Sequence, residues 1–134
     1  NLTFGLNSED KVFLVTPKYT FEIKKKPFMT IQMSCFFKIE DSAWNGFILN
    51  DKIIFPKNFV AHMAMISVGT SRGVLHTRTE DTIFNKYILP TINVSKMIPE
   101  DVVFDIWFFF ILRKPYTKCL IILYALMVHS KKII

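Results

Sequence analysis

The stretch KVFLVTPKYTFEIK, Lys11 to Lys24, restricts what this chain can fold into more than any other. Val12, Leu14 and Thr16 alternate with Phe13 and Val15, Pro17-Lys18 interrupts the run, and Tyr19, Phe21 and Ile23 alternate with Thr20, Glu22 and Lys24. A period of two sends successive side chains to opposite faces of a strand. The stretch therefore predicts a hairpin with its turn at Pro17-Lys18. Lys24-Lys25-Lys26-Pro27 then stops the second strand, because proline has no N–H to give a ladder. The lysine run reads either as a phosphate or lipid patch, with Tyr19, Phe21 and Phe28 as stacking groups, or as an edge strand blunted by charge. The second reading is preferred, since neither another basic cluster nor an RNA-binding signature accompanies the run.

More hairpin material follows. Phe28 to Glu40 is near alternation and predicts a strand; Glu40-Asp41-Ser42 breaks it. In Asn45 to Phe55 the runs Phe47-Ile48-Leu49 and Ile53-Ile54-Phe55 flank Asn50-Asp51, residue types that tolerate the left-handed region, so this is the clearest hairpin. Phe59 to Val68 has the length of a short helix, but the β-branched Ile66 and Val68 and the following Gly69 favour a buried strand. His62 within it has no Cys, Asp or His at metal-binding spacing and reads as a core or rim residue. Gly69-Thr70-Ser71-Arg72-Gly73 invites a phosphate-loop reading. No Gly-Lys-Ser or Gly-Lys-Thr follows, however, and Val74-Leu75-His76 looks like a strand, so the glycines predict a hairpin loop over 65–79. Thr77 to Asp81 is a charged corner before Thr82-Ile83-Phe84. The fold expected is mainly β: antiparallel hairpins forming part of a β-propeller or a sandwich, with an atypical apolar C-terminal segment.

Composition excludes some classes. Of 134 residues 51% are apolar, fourteen are Phe and only four are Gly, which rules out a disordered or low-complexity chain. The net charge of +6 is dispersed along the sequence, the pattern of a solvated basic surface rather than a nucleic-acid binder. The chain opens on Asn1 without an initiator Met, a charged n-region or an apolar h-region, and reads as a mature product or a fragment with its targeting segment upstream. Asn1-Leu2-Thr3 and Asn93-Val94-Ser95 are N-glycosylation sequons, with Asn1 and Asn93 the acceptors in a secretory compartment. Cys35 and Cys119 either close one disulfide over a long loop or stay as two buried thiols; their separation does not decide between these. No residue set has the spacing of a catalytic, metal or cofactor site, and none is assigned.

A break in character at Asp101 divides the chain into a β-hairpin domain, 1–101, and an apolar, aromatic-rich segment, 102–134. In the latter, Val102 to Leu112 and Cys119 to Val128 are separated by Arg113-Lys114-Pro115-Tyr116-Thr117-Lys118. Each run falls short of the roughly twenty residues of a helical span. In order of preference, the segment forms two buried strands or a strand and a helix, a membrane-inserted tail with Lys131-Lys132 at the interface, or a nonnative ending from alternative splicing.

The order of an apolar strand, Gly-Thr-Ser, Gly, a second strand and the corner Thr77-Arg78-Thr79-Glu80-Asp81-Thr82-Ile83-Phe84 resembles one blade of an Asp-box β-propeller, without the glycine usual after the corner acid. Val68 to Asp101, with Gly73-Val74-Leu75-His76-Thr77, Phe84, Tyr87-Ile88-Leu89-Pro90 and Pro99-Glu100-Asp101, is similar to the extracellular propeller regions of the auxiliary subunits of CatSper, the sperm cation channel. That resemblance implies a glycosylated, noncatalytic interaction domain on the extracellular side of the flagellar membrane. Its partners would be other subunits of a membrane complex, with membrane contact through 102–134 and no nucleic acid. The alternative is a fragment of a propeller-type, sialidase-like glycoside hydrolase. Against it, Glu80 and Asp81 are adjacent and would point to opposite faces of a strand rather than form an acid/base pair, and Arg72, Arg78 and Arg113 are the only arginines.

Overall fold

The computed structural model describes residues 1–106. Strands β1 (Leu2–Asn7), β2 (Val12–Ile23), β3 (Lys26–Gln32) and β4 (Cys35–Lys38) come first, then helix α1 (Asp41–Phe47), strands β5 (Ile48–Leu49) and β6 (Lys52–Phe55), helices α2 (Lys57–Thr79) and α3 (Val94–Met97), and strand β7 (Val102–Asp105). All pairings are antiparallel, in two sheets: β2 carries β1 on one side and β3 and β4 on the other, and β6 lies between β5 and β7. The sheet-rich, antiparallel character matches the alternation in the sequence; neither sheet closes into a barrel among the described residues.

The hairpin expected to turn at Pro17-Lys18 does not turn there. β2 runs through Pro17 as one strand of 12 residues, and its partner is the next segment of chain. Lys18 faces Gln32 and Val15 faces Cys35 in one uninterrupted register, which sets Pro17 against Met33 and Thr16 against Ser34. Proline offers the ladder a carbonyl but no N–H. The Pro17 carbonyl accepts from Met33 N–H at 3.2 Å, and the Thr16 and Ser34 hydroxyls meet at 2.9 Å across the gap. Thus β3 and β4 are one partner strand nicked by a proline on the opposite side. The turn itself is Lys24-Lys25, so the lysine run closes this hairpin instead of ending an edge strand.

The Asn50-Asp51 hairpin forms as expected, with φ of 48° and 59° at the two turn residues. Residues 57–79 depart furthest from expectation. Neither a buried strand nor a hairpin forms there; α2 spans 23 residues, and Gly69 and Gly73 lie inside it with ordinary helical φ. Its buried positions are Val60, Ala61, Ala64, Ser67, Val68, Ser71, Leu75 and Thr79, the three-and-four spacing of one helix face. Three of these are hydroxyl residues, and each satisfies itself on the preceding turn: Ser67 donates to Met63 O, Ser71 to Ser67 O and Thr79 to Leu75 O, at 2.9, 2.7 and 2.8 Å. The small side chains let α2 lie close against β2.

The N-terminus of α2 is capped from a distance. Asp101 Oδ1 accepts from Lys57 N–H at 2.8 Å, placing a carboxylate at the positive end of the helix dipole. Val102–Asp105, placed by sequence in the C-terminal segment, continues from this cap as β7 and packs Val102 and Phe104 into the core shared by both sheets. The remainder of that segment, with its readings as strands, tail or splice ending, lies outside the described residues. The core centres on Phe13 of β2, whose ring lies 4.7 Å from Phe55 of β6 and 5.8 Å from Phe59 of α2. Trp44 of α1 and Phe47 close it around Phe55.

Helix and hairpin give opposite predictions for the two glycines. A Cβ built at Gly69 or Gly73 meets nothing within 4 Å. In an exposed helix Gly→Ala is stabilising by about 1 kcal/mol. Gly69→Ala and Gly73→Ala are each expected to raise the denaturation midpoint; a loss of stability at both would return this segment to a loop. Phe13→Ala should cost about 3–5 kcal/mol in the same assay.

Candidate interaction surface

Where β2 turns into β3, the first sheet finishes in a tip with unusual chemistry. Lys24 and Lys25 close the β2–β3 turn at φ of 50° and 64°. Two consecutive left-handed residues define the turn that Asn-Gly fills most easily, and a residue with a long side chain there costs roughly 1–2 kcal/mol. At the Asn50-Asp51 turn the same geometry is held by residues suited to it. At the tip it is held by two lysines.

Behind this turn β2 and β3 are irregular between Phe21 and Glu22, which brings Pro27 opposite Glu22 and frees Phe28 from the ladder. Phe28 then collects aromatic neighbours. Its ring lies 6.3 Å from Phe21, 4.9 Å from Tyr87 and 6.2 Å from Phe84, the last pair stacked. Phe84 and Tyr87 belong to the segment after α2, which is tied back to the helix. Asn85 Nδ2 donates to His76 O at 3.1 Å, Arg72 Nη2 donates to Pro90 O at 3.0 Å, and Leu89 is buried against Ile31 and Leu75. The tip is therefore two separate pieces of chain braced by four rings.

The braced rings are half-buried, and what they hold out to solvent is aliphatic and cationic. Ile83 is 78% exposed, Ile88 77% and Ile23 51%. Lys24, Lys25 and Lys26 are exposed, and Lys86 Nζ sits 5.4 Å from the Tyr87 ring centroid in a cation–π arrangement. The ion pairs among the described residues, Lys11–Asp41 at 2.8 Å and Lys52–Asp105 at 3.3 Å, involve none of these lysines. The sequence had shown the lysine run and its aromatic neighbours Tyr19, Phe21 and Phe28. Ile83, Phe84, Tyr87, Lys86 and Ile88 were missed as parts of the same surface, because only the return of α2 brings them to the hairpin.

The other residues singled out in the sequence do not converge. Glu80 is the C-cap of α2 and Asp81 follows at φ 60°, both exposed in a turn rather than in a strand corner. Arg72 lies two helical turns earlier on Pro90 O. His62 is exposed on α2 and is not a core residue. Asn1 is exposed, with its terminal ammonium on Lys18 O at 2.9 Å. Asn93 is exposed too and caps α3, accepting from Lys96 N–H through Oδ1 at 3.2 Å, which leaves Nδ2 outside that bond. Cys35 opens β4, half-buried opposite Val15; Cys119, its proposed partner, lies outside the described residues. No group of three or more His, Cys, Asp or Glu could hold a metal ion among the described residues. No described helix is long and apolar enough to cross a membrane. No family model, curated protein or solved structure matches the chain.

One buried polar group lies beneath the tip. Tyr19 follows Pro17 on the core face of β2, and its hydroxyl has no hydrogen-bond partner among the described residues. Ser71 lies beside it and gives its hydroxyl proton to Ser67 O, but the phenol and the serine oxygen are not in hydrogen-bonding geometry. Burial pushes the Tyr19 phenol above its ordinary value of 10.0, outweighing the pull of Ser71 and of the Arg72 charge in the other direction. Tyr19→Phe, which removes an unpaired buried hydroxyl, should therefore raise stability by about 1 kcal/mol at neutral pH. The phenol ionises more readily in the unfolded chain, so its contribution is fully present below pH 10.0 and is lost as pH rises through the folded value. Denaturation midpoints measured across that interval should fall less steeply for Tyr19→Phe than for the parent.

Proposed function

We propose that this chain is a noncatalytic interaction domain that docks through the aromatic–basic tip of the β2–β3 hairpin onto a membrane-associated assembly. One observation carries the reading: exposed isoleucines, with lysines in no ion pair among the described residues, a combination that costs solubility and turn stability, are mounted on a cluster of packed rings drawn from two distant pieces of chain. A residue set kept in unfavourable surroundings for folding is one that another surface uses.

The specific assembly in this proposal is the CatSper channel complex, on the extracellular side of the sperm flagellar membrane, with the other subunits as partners. Its support is the sequence likeness over Val68 to Asp101. Within that span 68–79 is helical and 80–93 is turn and coil, so the likeness rests on residue order and not on a blade-like strand pair. Membership of a propeller ring would accordingly draw on chain beyond these strands. The glycoside hydrolase reading has no arrangement of Glu80, Asp81, Arg72 and Arg78 in its favour among the described residues.

The test is co-purification of the tagged full chain from native membranes, followed by mass spectrometry, in parallel with Ile83→Ser/Ile88→Ser. Both positions are largely exposed, so the double variant should fold as the parent does and lose most of the recovered assembly. Recovery of the CatSper pore subunits with the parent chain alone supports the specific assembly. Equal recovery with parent and variant would remove the tip from the function.

A further inference from the structure

We infer that the surface met by the tip is an anionic lipid bilayer, a step that rests on the tip being the docking surface and not on the extracellular placement, since acidic headgroups are concentrated in the cytoplasmic leaflet. Three properties select lipid over a protein or nucleic-acid partner. The first is the choice of cation. Lys24, Lys25, Lys26 and Lys86 are all lysine, which protein interfaces tend to exclude in favour of arginine, whereas clustered lysines are attracted to acidic headgroups. They outnumber the acids nearest in the two segments, Glu22, Glu80 and Asp81.

The second is the placement of the apolar material. Ile23, Ile83 and Ile88 are each exposed: Ile23 ends β2 beside the turn, and Ile83 and Ile88 bracket Phe84 and Tyr87 in the chain. Exposed aliphatic side chains close in the chain to exposed lysines match the boundary between headgroups and acyl chains. The third concerns the aromatics. Phe21, Phe28, Phe84 and Tyr87 pack on one another, so their faces are not presented to bases, and the groups offered to a ligand are aliphatic.

The left-handed turn supplies a test that separates binding from folding. Lys24→Asn/Lys25→Gly replaces both strained lysines with the pair that turn prefers and removes two positive charges. The variant should be at least as stable as the parent. Its partitioning onto phosphatidylserine-containing vesicles should nonetheless fall about 30-fold, measured by co-sedimentation of the full chain at low salt. Partitioning of the parent should weaken as salt is raised and should be far lower on phosphatidylcholine alone. Ile83→Ser/Ile88→Ser should reduce binding to the acidic vesicles while leaving the salt dependence in place.

Equal binding of the parent to acidic and neutral vesicles, or unchanged binding of both variants, overturns the lipid assignment. If the variants bind acidic vesicles as the parent does yet lose the co-purified assembly, the partner is a protein and the docking-tip reading survives without the lipid. If neither vesicle binding nor co-purification responds, both readings fall. Tighter binding of the parent to single-stranded oligonucleotides than to acidic vesicles, lost in Lys24→Asn/Lys25→Gly, would replace lipid with nucleic acid.

Discussion

The contact on which this structure depends is the meeting of Phe13 with Phe55 and Phe59. These rings come from the centre of the first sheet, the centre of the second and the first turn of α2, and Phe13 and Phe55 are fully buried. The second sheet could not stand alone. It has strands of two to four residues, too short to bury a face without a partner. Packing Phe55 on Phe13 joins the two sheets at one core, and Phe59 fixes where α2 departs from β6.

From that junction α2 runs along β2 as far as Ile31 of β3, and its composition allows it to do so at close range. Alanine and serine on the buried face keep the helix near β2, and the serines give up little because each hydroxyl bonds its own helix one turn back. The helix ends over Ile31, which leaves the following segment beside the β2–β3 turn. Asn85 and Arg72 then pin it there. The tip thus follows from helix length: a helix one or two turns shorter would leave Phe84 and Tyr87 away from Phe28.

The hairpin at Asn50-Asp51 and the strand character of Lys11 to Lys24 were legible because side-chain period and turn chemistry are local. Pro17 misled for a definite reason. A proline usually ends a ladder, but here only its carbonyl was required, and a threonine–serine pair filled the gap beside it. At 57–79 a helical pattern was present, yet Ser67 and Ser71 occupy core positions where hydropathy expects apolar residues. Gly69 and Gly73, four apart and therefore on one exposed face, looked like turn punctuation.

By itself the sequence determined the antiparallel strands, the Asn50-Asp51 turn and the lysine run, each written in neighbouring residues. Tertiary structure alone decided that the run would form a strained turn, that Ser67 and Ser71 would be interior, that Asp101 would cap a helix starting 44 residues earlier, and that Ile83 to Ile88 would join the hairpin. The physical reason is range. Alternation and turn preference act within a few residues, whereas burial and remote hydrogen bonds depend on which elements the core brings together.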